Sequence, residues 1–188
     1  LEQHHISADL MKCREGILKA YKSGVFLLLI CGGYQLMGKY YRDADGSEIK
    51  GLGLFDYYTV APASRRKRCI GNIVIETQKT GVPVKVVGFE NHGGQTVGVK
   101  SPFGKVLCGN GNCSKSENEG YCEKNVIATY LHGPLLAKNP EISDHIIGYC
   151  MQRKLNAGGS AEKYELPKLD DTLEIKCRSV MLERLLKK

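Results

Sequence analysis

The chain has no apolar run long enough to cross a bilayer. The longest, from Val25 to Cys31, falls far short of the ~20 residues that a membrane span requires. No charged-then-apolar segment of the secretory type opens it, so the expected location is soluble and interior. A Gly-rich run ending in Gly-Lys-Ser or Gly-Lys-Thr is missing too, and with it the commonest phosphate cradle. Internal repeats and low-complexity tracts are absent, which excludes a solenoid. Aromatics make up only 7% of the chain and are not interleaved with basic residues. The net charge of +7 is therefore a poor sign of nucleic-acid binding, being dispersed apart from Arg65-Arg66-Lys67-Arg68 and Lys187-Lys188.

What is present fits one globular domain spanning 1–188, with 188 residues, 42% hydrophobic and 25% charged. A chain with enough apolar residues for a core does not need a disulfide framework, so the eight cysteines read as reduced thiols. Cys108, Cys113 and Cys122 are irregularly spaced and lack an obvious fourth ligand, and no metal site is expected. Ala8 to Lys22 carries an apolar helical stripe ending at Gly24, and Val25 to Ile30 is apolar without alternation, as a strand covered on both faces is. A helix leading into a buried strand predicts an α/β fold. A short helix follows near Tyr34–Tyr41, with a loop from Arg42 to Lys50. Strands are predicted at Leu54–Val60, Asn72–Thr77, Val84–Glu90, Thr96–Val99 and Lys105–Cys108. Asn110 to Glu123 reads as an exposed loop, Asn125 to Leu131 as a strand, and Asn139-Pro140 as a helix start with an N-cap side chain. A last helix is expected at about 168–187; it and the Asn110–Glu123 loop are the expected contact surfaces for a partner.

The chemistry points to Leu29-Ile30-Cys31-Gly32-Gly33-Tyr34. A strand that stops at a cysteine and turns through two glycines into a helix has the pattern of a nucleophile elbow with a thiol in place of a hydroxyl. The first free N–H groups of the helix would lower the thiol pKa below about 8.5, and that of Gly32 could receive an oxyanion. Thiolate acyl transfer needs a proton carrier, and histidine suits neutral pH. His132 ends the strand Val126–Leu131, while His92 ends Val86–Asn91; both reach the strand ends where Cys31 also sits, and His132 is preferred as the base.

Cys31-Gly32-Gly33-Tyr34-Gln35-Leu36-Met37-Gly38, Gly88-Phe89-Glu90-Asn91-His92-Gly93-Gly94 and Thr129-Tyr130-Leu131-His132-Gly133-Pro134 together resemble class I glutamine amidotransferases of the cobyric-acid-synthase type. The likeness is stronger to one branch, the glutaminase subunit of lipid II isoglutaminyl synthase. Gly51-Leu52-Gly53-Leu54-Phe55-Asp56 and Arg68-Cys69-Ile70-Gly71-Asn72 add to it, and it runs nearly end to end. The resemblance implies a three-layer, mostly parallel, flavodoxin-like sheet flanked by helices, with the first strands of the fold missing from this chain. It implies Cys31 as nucleophile and His132 as general acid and base, with an oxyanion contact at Gly32. Substrate contacts would come from Arg68, Gln35, Glu90, Asn91 and His92. It further implies a cytoplasmic heterodimer with a Mur-ligase-like subunit that takes the ammonia, holds ATP and Mg, and amidates the D-glutamate of lipid II to D-isoglutamine. This chain would itself carry no cofactor, and it would reach the inner face of the membrane only through its partner or substrate.

Two features depart from the pattern. The position two residues after His132, where many class I members place the acid of a triad, is Pro134, so the orienting carboxylate is expected from the partner. Leu1-Glu2-Gln3 resembles the tail of a Gly-rich segment that supplies a second oxyanion donor, and losing one such donor costs ~100- to 1,000-fold. Two other readings therefore stay open: a partner-independent thiol hydrolase of the γ-glutamyl peptidase kind, and a catalytically impaired binding subunit.

Overall fold

A computed structural model describes residues 8–62, 68–81 and 84–187. Arg65, Arg66 and Lys67 of the basic run and the opening Leu1-Glu2-Gln3 lie outside the described residues. In chain order the elements are α1 (Arg14–Lys22), β1 (Leu27–Ile30), α2 (Gly32–Met37), β2 (Tyr40–Arg42), β3 (Glu48–Lys50), β4 (Tyr58–Val60), β5 (Cys69–Thr77) and β6 (Val84–His92). There follow β7 (Gln95–Val97), β8 (Gly104–Cys108), β9 (Asn118–Glu119), β10 (Tyr121–Glu123), β11 (Val126–Thr129), β12 (Leu131–His132), α3 (Leu135–Lys138), α4 (Pro140–Ala157) and α5 (Thr172–Leu186).

Sheets flanked by helices make this an α/β fold. The strands form three sheets, ordered β1-β11-β10, β12-β6-β5-β8-β9 and β3-β2-β4-β7. Parallel pairing is confined to β1–β11 and β2–β4 among the described strands, so the expectation of a mostly parallel sheet holds only at the centre; the other pairs are antiparallel.

The first helix leads into β1, which stands at one end of the β1-β11-β10 order. Ile17 and Tyr21 of α1, with Leu10 and Met11 before it, pack on a cluster built from Tyr34, Leu52, Phe55, Tyr57, Tyr121 and Tyr130. Gly24, at φ +82°, turns the chain into β1. There Leu27 faces Val126 and Ile30 faces Thr129 in parallel register. A second cluster lies around β5 and β6, whose Ile73, Ile75 and Val86 are fully buried with Ile127, Leu131 and Ile142. Full burial of each such side chain is worth about 1.5–3 kcal/mol.

Several local expectations change. The helix after Cys31 ends at Met37, and Tyr40–Arg42 pairs antiparallel with Glu48–Lys50, so the polar stretch 42–50 is a hairpin closed by Asp43 and Gly46 rather than an open loop. The Asn110–Glu123 stretch is not an exposed loop throughout: Asn112, Glu119 and Tyr121 are buried, and it contributes β9 and β10. Pro140 does open α4, but the Asn139 side chain does not cap it. It instead accepts the Val87 N–H and donates to the carbonyls of Val87 and Leu135, tying the helix start to the middle of β6. Arg178 of α5 forms a two-pronged ion pair with Glu141 of α4, which fixes the last helix against the preceding one.

Candidate active site

The turn between β1 and α2 is strained at the position where a reactive side chain would be held. Cys31 has φ +51° and ψ −103°, a conformation that costs a residue with a Cβ about 1–3 kcal/mol. Both of its peptide groups are used to hold it there. Its N–H donates to the carbonyl of Thr129 at 2.9 Å, extending the β1–β11 ladder by one bond, and its carbonyl accepts the N–H of Gln35 at 3.0 Å as the first bond of α2. The thiol is half-buried, with the N–H of Gly32 directed at it.

The electrostatics correct one expectation. Burial pushes the Cys31 thiol up, and the Gly32 N–H and the Arg68 guanidinium offset this only in part. A six-residue helix and one cation do not outweigh the loss of solvent around the sulfur. The free thiol is therefore not a preformed thiolate at neutral pH, and charge on the sulfur has to be supported by a proton acceptor during the reaction.

His132 follows three residues after Thr129, the partner of Ile30 in the β1–β11 ladder, across a change of sheet. After β11 the chain bends at Tyr130, and β12 joins β6 antiparallel, with Leu131 opposite Glu90 and His132 opposite Phe89. Its Nε2 is buried and makes no hydrogen bond among the described residues. An imidazole nitrogen kept out of water without a partner is ready to exchange a proton with a third group. No described carboxylate is paired with His132; the position two residues on is Pro134.

Arg68 stands immediately before β5. Its Nη2 donates to Asn91 Oδ1 at 2.8 Å, and its side chain runs past the backbone of Gly93. Arg68 is exposed, and its field reaches Cys31, Tyr41 and His92. An exposed arginine tied to an asparagine beside a thiol can receive a planar carboxylate on its free edge.

The remaining candidates belong to the interior rather than to the rim. Gln35 is buried and its Nε2 donates to the Tyr130 hydroxyl at 3.1 Å. His92 lies flat on the Tyr130 ring, centroids 3.6 Å apart and planes 5° from parallel. Its Nδ1 is 2.7 Å from the Gly94 carbonyl, so that nitrogen carries the proton. Burial pushes His92 down to about 4, which leaves it neutral at physiological pH. Glu90 is fully buried, and its carboxylate accepts the N–H of Asn110, the side-chain amide of Asn110 and the N–H of Gly111. Glu90 and His92, expected as substrate contacts, are thus buried in the interior, where Glu90 holds the 110–111 turn and His92 packs on Tyr130. Sequence spacing could not separate these roles, because alternate residues of β6 face opposite sides and only the partner strands decide which side is covered.

All eight cysteines are free, and among the described residues no three His, Cys, Asp or Glu side chains gather as metal ligands. A cavity of about 340 Å³ lined by Tyr21, Phe55, Tyr57 and Tyr121 includes none of Cys31, Arg68 and His132 in its lining.

The family model of the CobB/CobQ-like glutamine amidotransferase domain matches residues 2–140, a span that holds the elbow, Arg68 and His132. The chain belongs to this family. Among relatives of the amidotransferase domain, the lipid II isoglutaminyl synthase (glutamine-hydrolyzing) subunit GatD of Staphylococcus aureus is 39% identical over 183 residues, covering 97% of this chain and 70% of that protein. The subunit of the same name from Streptococcus pneumoniae is 34% identical over 174 residues, 92% of this chain and 64% of that one. A probable cobyric acid synthase of Methanococcus maripaludis is 33% identical over 161 residues, but this chain spans only 32% of its length. The likeness to the GatD subunits extends past the family match into α4 and α5, whereas that to the synthase covers 79% of the chain. No described helix is long and apolar enough to cross a membrane.

One buried acid gave no signal in the sequence: Glu119 sits in the polar stretch that reads as a loop, yet it is fully buried and accepts the Tyr130 N–H at the bend that precedes His132.

Proposed function

We propose that this chain is the glutaminase subunit of lipid II isoglutaminyl synthase. The observation that supports this reading is the left-handed Cys31 at a strand-to-helix turn, with the strand paired to β1 running on into His132, whose buried Nε2 has no partner among the described residues. His132 Nε2 takes the thiol proton as the sulfur attacks the side-chain carboxamide carbon of L-glutamine, and the Gly32 N–H receives the oxyanion. Collapse of the tetrahedral intermediate breaks the C–N bond, His132 returns the proton to the leaving nitrogen, and ammonia departs from a thioester. Water, deprotonated by His132, then releases glutamate and restores the thiol. Arg68 holds the α-carboxylate, with Asn91 fixing the guanidinium. Gln35 acts beneath the site through Tyr130.

Ammonia passes to a Mur-ligase-like partner that holds ATP and Mg and amidates the D-glutamate of lipid II to D-isoglutamine. The partner also supplies the carboxylate that orients His132. The complex works in the cytoplasm, at the inner membrane face where its lipid substrate lies. In support of this branch, the alignment to the two GatD subunits covers more than nine-tenths of this chain.

The test is Cys31→Ala in the reconstituted complex. Ammonia release from glutamine is expected to vanish, while added ammonium salt still supports amidation of lipid II. Retained glutaminase activity in the variant would overturn the reading. Turnover of γ-glutamyl peptides by the chain alone would favour the partner-independent hydrolase instead.

A further inference from the structure

Thr129 is joined to both halves of the site. Its carbonyl accepts the N–H of Cys31 at 2.9 Å, and its hydroxyl oxygen accepts the N–H of Leu131 at 3.0 Å, one residue before His132. Between them the chain leaves the β1-β11-β10 sheet and enters the sheet of β6. A backbone that changes sheets loses its ladder bonds at the crossing, and such buried groups must find other partners. Here they find Glu119. Its Oε1 accepts the Tyr130 N–H at 2.7 Å, and the Thr129 hydroxyl lies 2.9 Å from both of its carboxyl oxygens. Glu119, Thr129, Tyr130 and Leu131 are each fully buried, so no water competes for these bonds.

We propose that Glu119 is a positioning residue for His132: by holding the Thr129 hydroxyl and the Tyr130 N–H it sets the bend that brings the imidazole to the rim beside Cys31. This rests on the glutaminase reading for its kinetic consequence, though the geometry does not depend on it. Glu119 does not touch the rim itself; it acts through Thr129 and Tyr130. Tyr130 is in turn clamped by the Gln35 and Thr96 side chains at its hydroxyl and by the His92 ring on its face, so the bend has little freedom except along the Thr129–Glu119 contact. Burial, with the nearby Glu90 charge adding to it, pushes the Glu119 carboxyl up to about 8. The neutral acid is thus its prevailing form at neutral pH, and glutamine is its conservative replacement.

The test compares Glu119→Leu, Glu119→Gln, Thr129→Val and Thr129→Ser in the reconstituted complex, each checked by thermal melting. In Glu119→Leu and Thr129→Val, kcat for glutamine hydrolysis is expected to fall about 10- to 100-fold, the effect of an ångström-scale misplacement, with KM within about twofold of wild type. Glu119→Gln and Thr129→Ser should keep kcat within about threefold. If Glu119→Leu does not fold, Thr129→Val, which is nearly isosteric, carries the comparison. In parallel, nitrogen NMR of ¹⁵N-histidine-labelled chain should show the His132 ring signals moving in Thr129→Val while those of His145 on α4 stay in place. Unchanged kcat in Thr129→Val together with unmoved His132 signals would overturn the proposal. A loss of melting temperature with normal kcat per folded molecule would overturn it as well. If wild type itself lacks glutaminase activity, the functional reading fails, and the NMR comparison still decides the role of Glu119.

Discussion

The strain at Cys31 makes a prediction that runs against the usual order of amino-acid preferences. At an ordinary backbone position glycine is about 0.5–1 kcal/mol worse than alanine, because the unfolded chain has more freedom to lose. At φ +51° and ψ −103° the order should invert. Alanine keeps the Cβ and hence the strain of about 1–3 kcal/mol, whereas glycine releases it. Subtracting the glycine entropy at the middle of each range leaves Cys31→Gly more stable than Cys31→Ala by about 1 kcal/mol. The half-buried thiol is lost in both, so its burial cancels. In a chain of this length each kcal/mol moves the melting temperature by roughly 2–4 °C, and the glycine variant should melt about 2–4 °C above the alanine variant. Calorimetry or urea melts on the two variants read this directly, and both should lack glutaminase activity. An alanine variant as stable as the glycine variant, or more so, would mean that the turn is relaxed, and the elbow would lose its physical basis.

Other outcomes follow from separate features. Because burial raises the Cys31 thiol and Arg68 partly offsets this, alkylation of Cys31 by iodoacetamide should reach half its maximal rate above the ordinary thiol pKa. Arg68→Gln should move that midpoint further up, and a plateau already reached at neutral pH would contradict the account. The pair between Arg178 and Glu141 holds the Glu141 carboxyl below its usual range. Its contribution is therefore present above the ordinary carboxylate pKa and is lost as pH falls through the depressed value. Arg178→Met should cost about 1.5–3 kcal/mol at neutral pH in urea melts and less in acid. In Gly88→Ala the new Cβ would lie 2.8–2.9 Å from three side-chain atoms of buried Leu131, so a stability loss of about 1–3 kcal/mol is expected, with a lower kcat from the displaced β12.

The parts of the site that depend on local order were legible in the sequence. An unbroken apolar strand followed by Cys31-Gly32-Gly33 can do little other than turn sharply into a helix, and the structure has that turn. The strand end at His132 was legible too, although that strand lies in a different sheet from Val126–Thr129. What was not legible is what a side chain meets across the fold. Glu90 and His92 sit in the same motif as Asn91, and alternation along one strand sends Asn91 to Arg68 and its two neighbours inward. Glu119 lies among Asn, Ser and Gly residues with no apolar rhythm, and its burial follows from the packing of β9 against β8 and the bend at Tyr130. The thiol was misjudged for a related reason: helix polarity is written in the sequence, while the extent of desolvation is a property of the assembled fold.

The tyrosines packed edge-to-face around Tyr34 give the molecule an optical use. The chain has no tryptophan, so excitation absorbed by its phenols is not drained into an indole. Tyr34 lies with its ring 4.9 Å from Tyr57 and 5.0 Å from Tyr130, and its carbonyl accepts the Tyr57 hydroxyl, so these rings are coupled to one another. Native tyrosine emission can therefore report on events at Cys31 in real time, without a label or an engineered fluorophore.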